Sequence, residues 1–383
     1  MTRMYGYADV AEQAWMLLDE ARVSAYARAI AATVRPGDVV LDVGSGSGLL
    51  ALLAARAGAR RVYAVERSAT IELVRRHIEE NGLGGVVEAV HADLVDLHGL
   101  PEAPRVVVSE MLGHFAPAEQ QHRVYRMARR LARPDAVLIP ASYQLAFAAA
   151  RPRALERELA QLADVAGVRL GALVERLAGR VTLARLAPDD LVGAEVRGEA
   201  ITIDAPLPTS FTARVPVAVT GPVTAICVSF VATLAPGVEL STGVGASRTH
   251  WLHTVFPVQP ALDCTAGELL DVELLPRVVT ERGTWAWRVS NGTTTRRGDA
   301  LRLLLGDKAA VLEQLGLRVP SAGLREVAPR LREWAAILDG GVDHAASLEA
   351  LAQRLLARAP LEYPGLEEAR QAVAALLIAA ANG

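Results

Sequence analysis

Lysine is almost missing from this chain: Lys308 is the single lysine among 40 basic residues, and the remainder are arginine. With so many Ala and Leu, that skew reads as genomic compositional bias rather than as a phosphate-binding design. Net charge is only −3 at pH 7, which argues against a general nucleic-acid surface. Two cysteines, Cys227 and Cys264, are too few for a disulfide framework and carry no metal-site spacing, so no metal is expected. No apolar run reaches about 18 residues, which excludes a membrane-spanning helix from the expected elements. The opening "MTRMYGYADVAEQAW" lacks the apolar core of a signal peptide, so the expected compartment is the cytoplasm.

What is present is ample core and a strong pattern. Of 383 residues, 51% are hydrophobic, and a chain of that length calls for more than one domain. Residues 8–33 have apolar positions at helical spacing and predict a helix. From 38 to about 142, β-branched runs ("DVVLDVG", "RVYAVE", "VVEAVHAD", "RVVVSE", "AVLIPAS") alternate with mainly helical stretches. That alternation predicts an α/β domain with a mainly parallel sheet. Residues 151–190 read as helical, and strand-like segments dominate from about 198 to 296, as in a β-sandwich or barrel. The expected organisation is a helical segment at 1–37, an α/β domain at 38–145, a β domain at 146–298 and a helical module at 299–383.

"VVLDVGSGSGLLALLAARAGA" puts Asp42, Gly44, Ser45, Gly46 and Gly48 between a buried strand and a helix. Glycines there permit a tight turn and close approach of a ligand to backbone, while the helix start presents free N–H groups. Glu66 ends the next strand, where an acid accepts hydrogen bonds from ribose hydroxyls, and Asp93 ends the following one, within reach of an adenine amino group. The turn D-x-G-x-G-x-G resembles that of class I S-adenosylmethionine-dependent methyltransferases; an NAD site, the alternative, has the spacing G-x-G-x-x-G.

"SEMLGHFAPAE" holds two carboxylates, Glu110 and Glu119, nine residues apart after the fourth strand. Ligands of open α/β sheets bind at that carboxyl edge. Two converged acids suit a guanidinium, which is planar and always charged, and would orient its nitrogen for attack. The segment resembles the double-Glu hairpin of protein arginine methyltransferases. Two further stretches fit the same family: "THW" at Thr249, His250 and Trp251, and "YADVAEQAWMLLDEAR" at 7–22 with Met16, Asp19 and Arg22 three apart on one helical face.

The resemblance covers residues 1 to about 297. It implies a Rossmann-like domain, then a β-barrel with a helical dimerisation arm at roughly 155–190, hence a homodimer. It implies S-adenosylmethionine as cofactor and an arginine-containing peptide or protein as acceptor. Arg22 would contact the cofactor carboxylate, Asp19 would pair with His250 to accept the proton, and Tyr7 and Trp251 would line the acceptor pocket. Met16 matches the residue that leaves room for asymmetric dimethylation. Departures exist: only Tyr7 remains of an aromatic pair, Met111 stands where the type I branch has Trp, and Gln13 where it has a cofactor-contacting His. These leave the number of methyls open.

Outside the resemblance, "LREWAAILDGGVDHAASLEALAQRLLARAP" and "EEARQAVAALLIAA" read as amphipathic helices able to capture a peptide, or simply to cover the β domain. Two other functions fit the same residues: a tailoring methyltransferase acting at another atom of a small molecule or ribosomal peptide, and a cofactor-binding scaffold without turnover.

Overall fold

The computed structural model describes residues 10–117, 121–277, 284–299 and residue 353. Tyr7, Glu119 and nearly all of the helical module expected at 299–383 lie outside the described residues.

Two helices open the fold, α1 (Val10–Leu17) and α2 (Glu20–Thr33). The single helix expected over 8–33 is therefore broken at Leu18–Asp19. Asp19 is the reason: its side chain accepts a hydrogen bond from the Arg22 N–H at 3.0 Å and caps α2. A carboxylate in that role favours a non-helical backbone at the cap. Met16 thus lies on α1 and Arg22 on α2, rather than on one continuous face.

The α/β unit follows with β1 (Val39–Val43), α3 (Leu49–Arg56), β2 (Arg61–Glu66), α4 (Ile71–Glu80), β3 (Val87–His91), β4 (Val106–Ser109), α5 (Gln121–Leu131) and β5 (Val137–Ile139). The sheet order is β3-β2-β1-β4-β5, and every pairing is parallel. β1 and β4 are buried along their whole length, which is why both read as unbroken apolar runs. α4 buries Ile71, Val74 and Ile78 at helical spacing. The order reverses beside β1, so the crevice at the carboxyl ends of β1 and β4 is where such a sheet takes a ligand.

The remaining described elements are β6 (Ser142–Ala150), α6 (Arg153–Ala163), β7 (Asp164–Val165), β8 (Val168–Arg169), α7 (Gly171–Ala178), β9 (Thr182–Ala184), β10 (Val196–Arg197), β11 (Ile201–Thr202), β12 (Phe211–Pro216), β13 (Gly221–Ala235), β14 (Val238–Ser241), β15 (His253–Cys264), β16 (Leu269–Arg277), β17 (Thr284–Ser290) and β18 (Thr295–Asp299). One antiparallel sheet runs β10-β6-β13-β15-β9, and a second runs β12-β16-β17-β18. The expected barrel is not closed: among the described residues these are two sheets packed on each other. Pro257 and Pro260 in β15 have no N–H for a ladder. Their carbonyls instead accept from the Trp287 indole and the Arg296 guanidinium, each at 2.7 Å. α6 and α7 bury no residue in this chain and project with the β7–β8 hairpin. Among the described residues no helix is long and apolar enough to cross a membrane.

Candidate active site

The glycine turn is built as its sequence requires. Gly44, Gly46 and Gly48 all have positive φ (69°, 54° and 83°), backbone that side-chain-bearing residues rarely adopt. A Cβ on Gly46 would stand 2.7 Å from Gln13 Oε1, so α1 lies directly over the turn. Gln13 is buried there.

Around the turn sit the acids. Asp42 is fully buried; its Oδ2 accepts from the Ala51 N–H at 3.1 Å, while Oδ1 has no partner among the described residues. Burial pushes its pKa up to about 7, against the lowering effect of Ser45 and Ala51. Ser45 itself is buried and donates to the Asp42 carbonyl at 3.2 Å. Glu66, at the end of β2, accepts from the Gly46 N–H at 3.0 Å and from the Ser68 N–H at 2.7 Å. Asp93 caps a short 3-10 turn through the Val95 N–H and lies 3.4 Å from Arg67.

Glu110 leaves the end of β4 and is held by two groups, one on each carboxylate oxygen. Arg22 donates to Oε2 through Nε at 2.8 Å and approaches it through Nη2 at 2.7 Å. The Leu112 N–H donates to Oε1 at 3.1 Å. Both side chains are nearly buried, at 10% and 6% exposure. Arg22 also donates to the Met16 carbonyl at 3.2 Å, tying α2 back to α1. The strand end beneath is fixed by two phenols, Tyr26 and Tyr125, whose Oη atoms lie 3.3 and 2.7 Å from the Ser109 carbonyl.

Asp19 and His250 form a pair. Asp19 Oδ2 accepts from His250 Nδ1 and from the His250 backbone N–H, both at 2.7 Å. Burial opposes the Asp19 charge, and the bonds from His250 and Arg22 outweigh it, so its pKa falls below the usual value. With its Nδ1 proton aimed at the carboxylate, His250 keeps Nε2 as its basic nitrogen. Trp251 is buried, its indole N–H donating to the Leu112 carbonyl at 2.8 Å and its ring packed on Phe230. Met16 is half-buried on α1.

One chain of contacts therefore links Glu110, Arg22, Asp19 and His250. Arg22, expected to reach for the cofactor, donates among the described residues to Glu110, Asp19 and the Met16 carbonyl. Sequence reasoning also passed over His114, Tyr26 and Arg185. His114 lies inside the quoted hairpin, and its Nδ1 accepts from the Leu252 N–H at 3.1 Å, joining the hairpin to the segment carrying His250. Tyr26 follows Arg22 by one turn of α2. Arg185 had no local signal: it donates to the carbonyls of Thr249 and Trp251, at 2.8 and 3.2 Å.

Residues 40–135 match the model of a methyltransferase domain. Protein arginine N-methyltransferase PRMT10 of rice (Oryza sativa subsp. japonica) is 36% identical over 159 residues, 41% of this chain. The chain spans about two fifths (42%) of that relative's length. Protein arginine N-methyltransferase 1 of Caenorhabditis elegans is 29% identical over 284 residues, covering 70% of this chain and 81% of the relative. By these matches the chain is similar to protein arginine N-methyltransferases. Its fold agrees: the Trypanosoma brucei PRMT1 enzyme–prozyme complex with AdoHcy superposes with a TM-score of 0.69 at 22% identity, over 76% of this chain and 98% of that one. The open Arabidopsis thaliana protein arginine methyltransferase 10 superposes at 0.64 and 22% identity, over 77% and 99%. Of the stretches singled out in the sequence, Glu110 follows β4 at the carboxyl edge of the sheet, and His250 is linked to it through Asp19 and Arg22.

Proposed function

We propose that the protein transfers a methyl group from S-adenosylmethionine to an arginine guanidinium in a peptide or protein. The observation that carries this reading is the buried carboxylate of Glu110, already gripping the Arg22 guanidinium, within one contact chain of the Asp19–His250 pair.

The residues at the glycine turn fit the cofactor. Three glycines at positive φ shape a tight turn with no side chain of its own at those positions, which suits close approach of a nucleoside and its amino-acid tail. Asp42 Oδ1, buried without a partner among the described residues, suits a donor brought by a ligand. Glu66 and Asp93 stand at consecutive strand ends as acceptors for a ribose and an adenine, and Arg22 is the cation for a carboxylate. When bound, S-adenosylmethionine supplies an electrophilic methyl on a positively charged sulfur.

The chain's own groups do the rest. A carboxylate offers about four lone-pair sites, so Glu110 can accept from an incoming guanidinium beside Arg22. Glu119, outside the described residues, is the proposed second acid of the clamp. Held flat by the acids, the acceptor guanidinium would present one nitrogen toward the methyl that the cofactor would supply. The nitrogen then sheds a proton to His250 Nε2, and Asp19 stabilises the imidazolium. Tyr7 and Trp251 are proposed to shape the acceptor pocket, Trp251 from beneath, and Met16 to leave room for two methyls on one nitrogen.

Two finer readings belong to the same proposal. Val165, Val168, Leu173 and Leu183 are exposed on or beside the projecting arm, as are Trp15 and Leu18 near α1. Such unpartnered apolar surface supports a homodimer in which the arm docks on a second copy. Both cysteines are free and buried, which suits the reducing cytoplasm.

The test is mass spectrometry of arginine peptides, free arginine and proteins encoded nearby, incubated with the enzyme and S-adenosylmethionine. A gain of one or two methyls on a guanidinium, lost in Glu110→Gln with cofactor binding retained, supports the reading. Methylation at another atom favours the tailoring enzyme. Cofactor binding with no transfer to any acceptor favours the scaffold.

A further inference from the structure

A cleft of about 170 Å³ lies beside the "THW" segment, lined by Arg185, Thr242, Gly243, Ser247, Arg248 and His253 among others. Its lining contains two guanidiniums and no carboxylate. Arg185 spends Nη2 on the carbonyls of Thr249 and Trp251, and its Nε–H and Nη1 groups have no acceptor among the described residues. Arg248 is exposed and makes no hydrogen bond or ion pair among the described residues. The two cations repel: burial first, then Arg248, lowers the Arg185 pKa, and Asp19 offsets only part of this.

The rest of the lining adds donors. Between Gly243 and Thr249 the loop turns through Gly245 at φ 93°, closed by the Ala246 N–H on the Gly243 carbonyl at 3.0 Å. The Ser247 hydroxyl and the backbone N–H groups of Ser247 and Arg248 take no partner among the described residues. His253 adds no charge, because burial lowers its pKa and its Nδ1 accepts from the Leu186 N–H at 2.9 Å. Of the nearby acids, Glu195 accepts from Ser229 Oγ at 3.0 Å and Asp19 is committed to His250.

We propose that this cleft is an oxyanion site, in which Arg185 and Arg248, with the Ser247 hydroxyl and the loop N–H groups, bind a carboxylate or phosphate. Paired guanidiniums with convergent N–H donors are the usual means of holding such a group. Arg185 bonds the carbonyls on either side of His250, so an anion that anchors Arg185 also steadies the Asp19–His250 pair. The anion could be a free phosphate or an acidic side chain of a bound peptide. Neither requires the methyl-transfer chemistry.

Calorimetric titration of the full-length protein with inorganic phosphate, at constant ionic strength, tests the site directly. A second probe is an acidic peptide against its Gln-substituted counterpart, followed by fluorescence anisotropy. Saturable binding of either probe is expected, weakened about tenfold in Arg248→Gln and partly restored in Arg248→Lys. Arg248 is exposed, so its variants should melt with the wild type, which the same samples verify. Phosphate binding alone assigns the site to a free anion, and preference for the acidic peptide assigns it to a bound chain. Failure of both probes to bind, or equal binding by Arg248→Gln, overturns the proposal.

Discussion

Arg22 and Glu110, 88 residues apart in the chain, meet through Nε and Nη2 on one carboxylate oxygen at 2.8 and 2.7 Å, almost out of contact with water. The carboxylate thus already holds a guanidinium from its own chain. That contact joins α2 to the end of β4, and through the cap at Asp19 it reaches His250.

Because the pair is buried, removing one partner leaves the other charge desolvated. Arg22→Gln and Glu110→Gln should each destabilise the fold by about 3 kcal/mol, read from urea unfolding. The double variant should lose clearly less than the two single losses together, with a coupling of about 2 kcal/mol. Additive losses would mean that the contact is incidental.

Asp19→Asn retains a capping side chain while removing the charge that supports His250. Turnover should fall about 100-fold or more with little change in the KM for the acceptor. His250→Gln should fall by a similar factor, and combining the two should add little, as for groups acting as one unit. The double-variant cycle in turnover provides the check: losses that add would show that the two groups act separately.

Asp42 makes a prediction of opposite sign from most acids. Its folded pKa is raised to about 7, so the native state holds this proton more tightly than the unfolded chain. Its contribution to stability therefore falls as pH rises from about 4 to 7, by up to roughly 1.4 kcal/mol per pH unit. Asp42→Asn should raise the melting temperature of the cofactor-free protein at pH 8 while weakening S-adenosylmethionine binding. A variant less stable than the wild type at pH 8 would show that the unpartnered oxygen carries no penalty.

Acid should act through His114. Burial first, and then the nearby His250, lowers its pKa to about 4, so the folded protein resists a proton that the unfolded chain accepts near 6.5. Stability from this group is present above about 6.5 and is lost as pH falls toward 4. His114→Gln keeps an acceptor for the Leu252 N–H and cannot titrate. Its melting temperature should approach or overtake that of the wild type between pH 6.5 and 4.5, and a constant gap across that range would refute the assignment.

Much of the α/β unit could be read from local signals. Buried strands such as Val39–Val43 announce themselves as β-branched runs, and a D-x-G-x-G-x-G turn has few backbone solutions. The ends of β2 and β4 could be read from where the apolar runs meet Glu66 and Glu110. Asp19–His250 was also anticipated, although only by resemblance. The break between α1 and α2 was not: periodicity continues through Leu18–Asp19, and the cap wins because a carboxylate satisfies N–H groups that the helix start leaves open. For the β domain the sequence left sandwich and barrel both open, since ladder pairing depends on which edges meet.

By itself, the order of residues determined the parallel sheet, the glycine turn and the position of the acids along the strand ends, because these depend on neighbours a few residues away. Only the tertiary structure decided that Arg22 grips Glu110, that Gln13 lies over Gly46, that His114 meets Leu252 and that Arg185 holds the carbonyls around His250. Those contacts join segments far apart in the chain, and burial in a common core, rather than any local preference, selects which polar groups must satisfy one another.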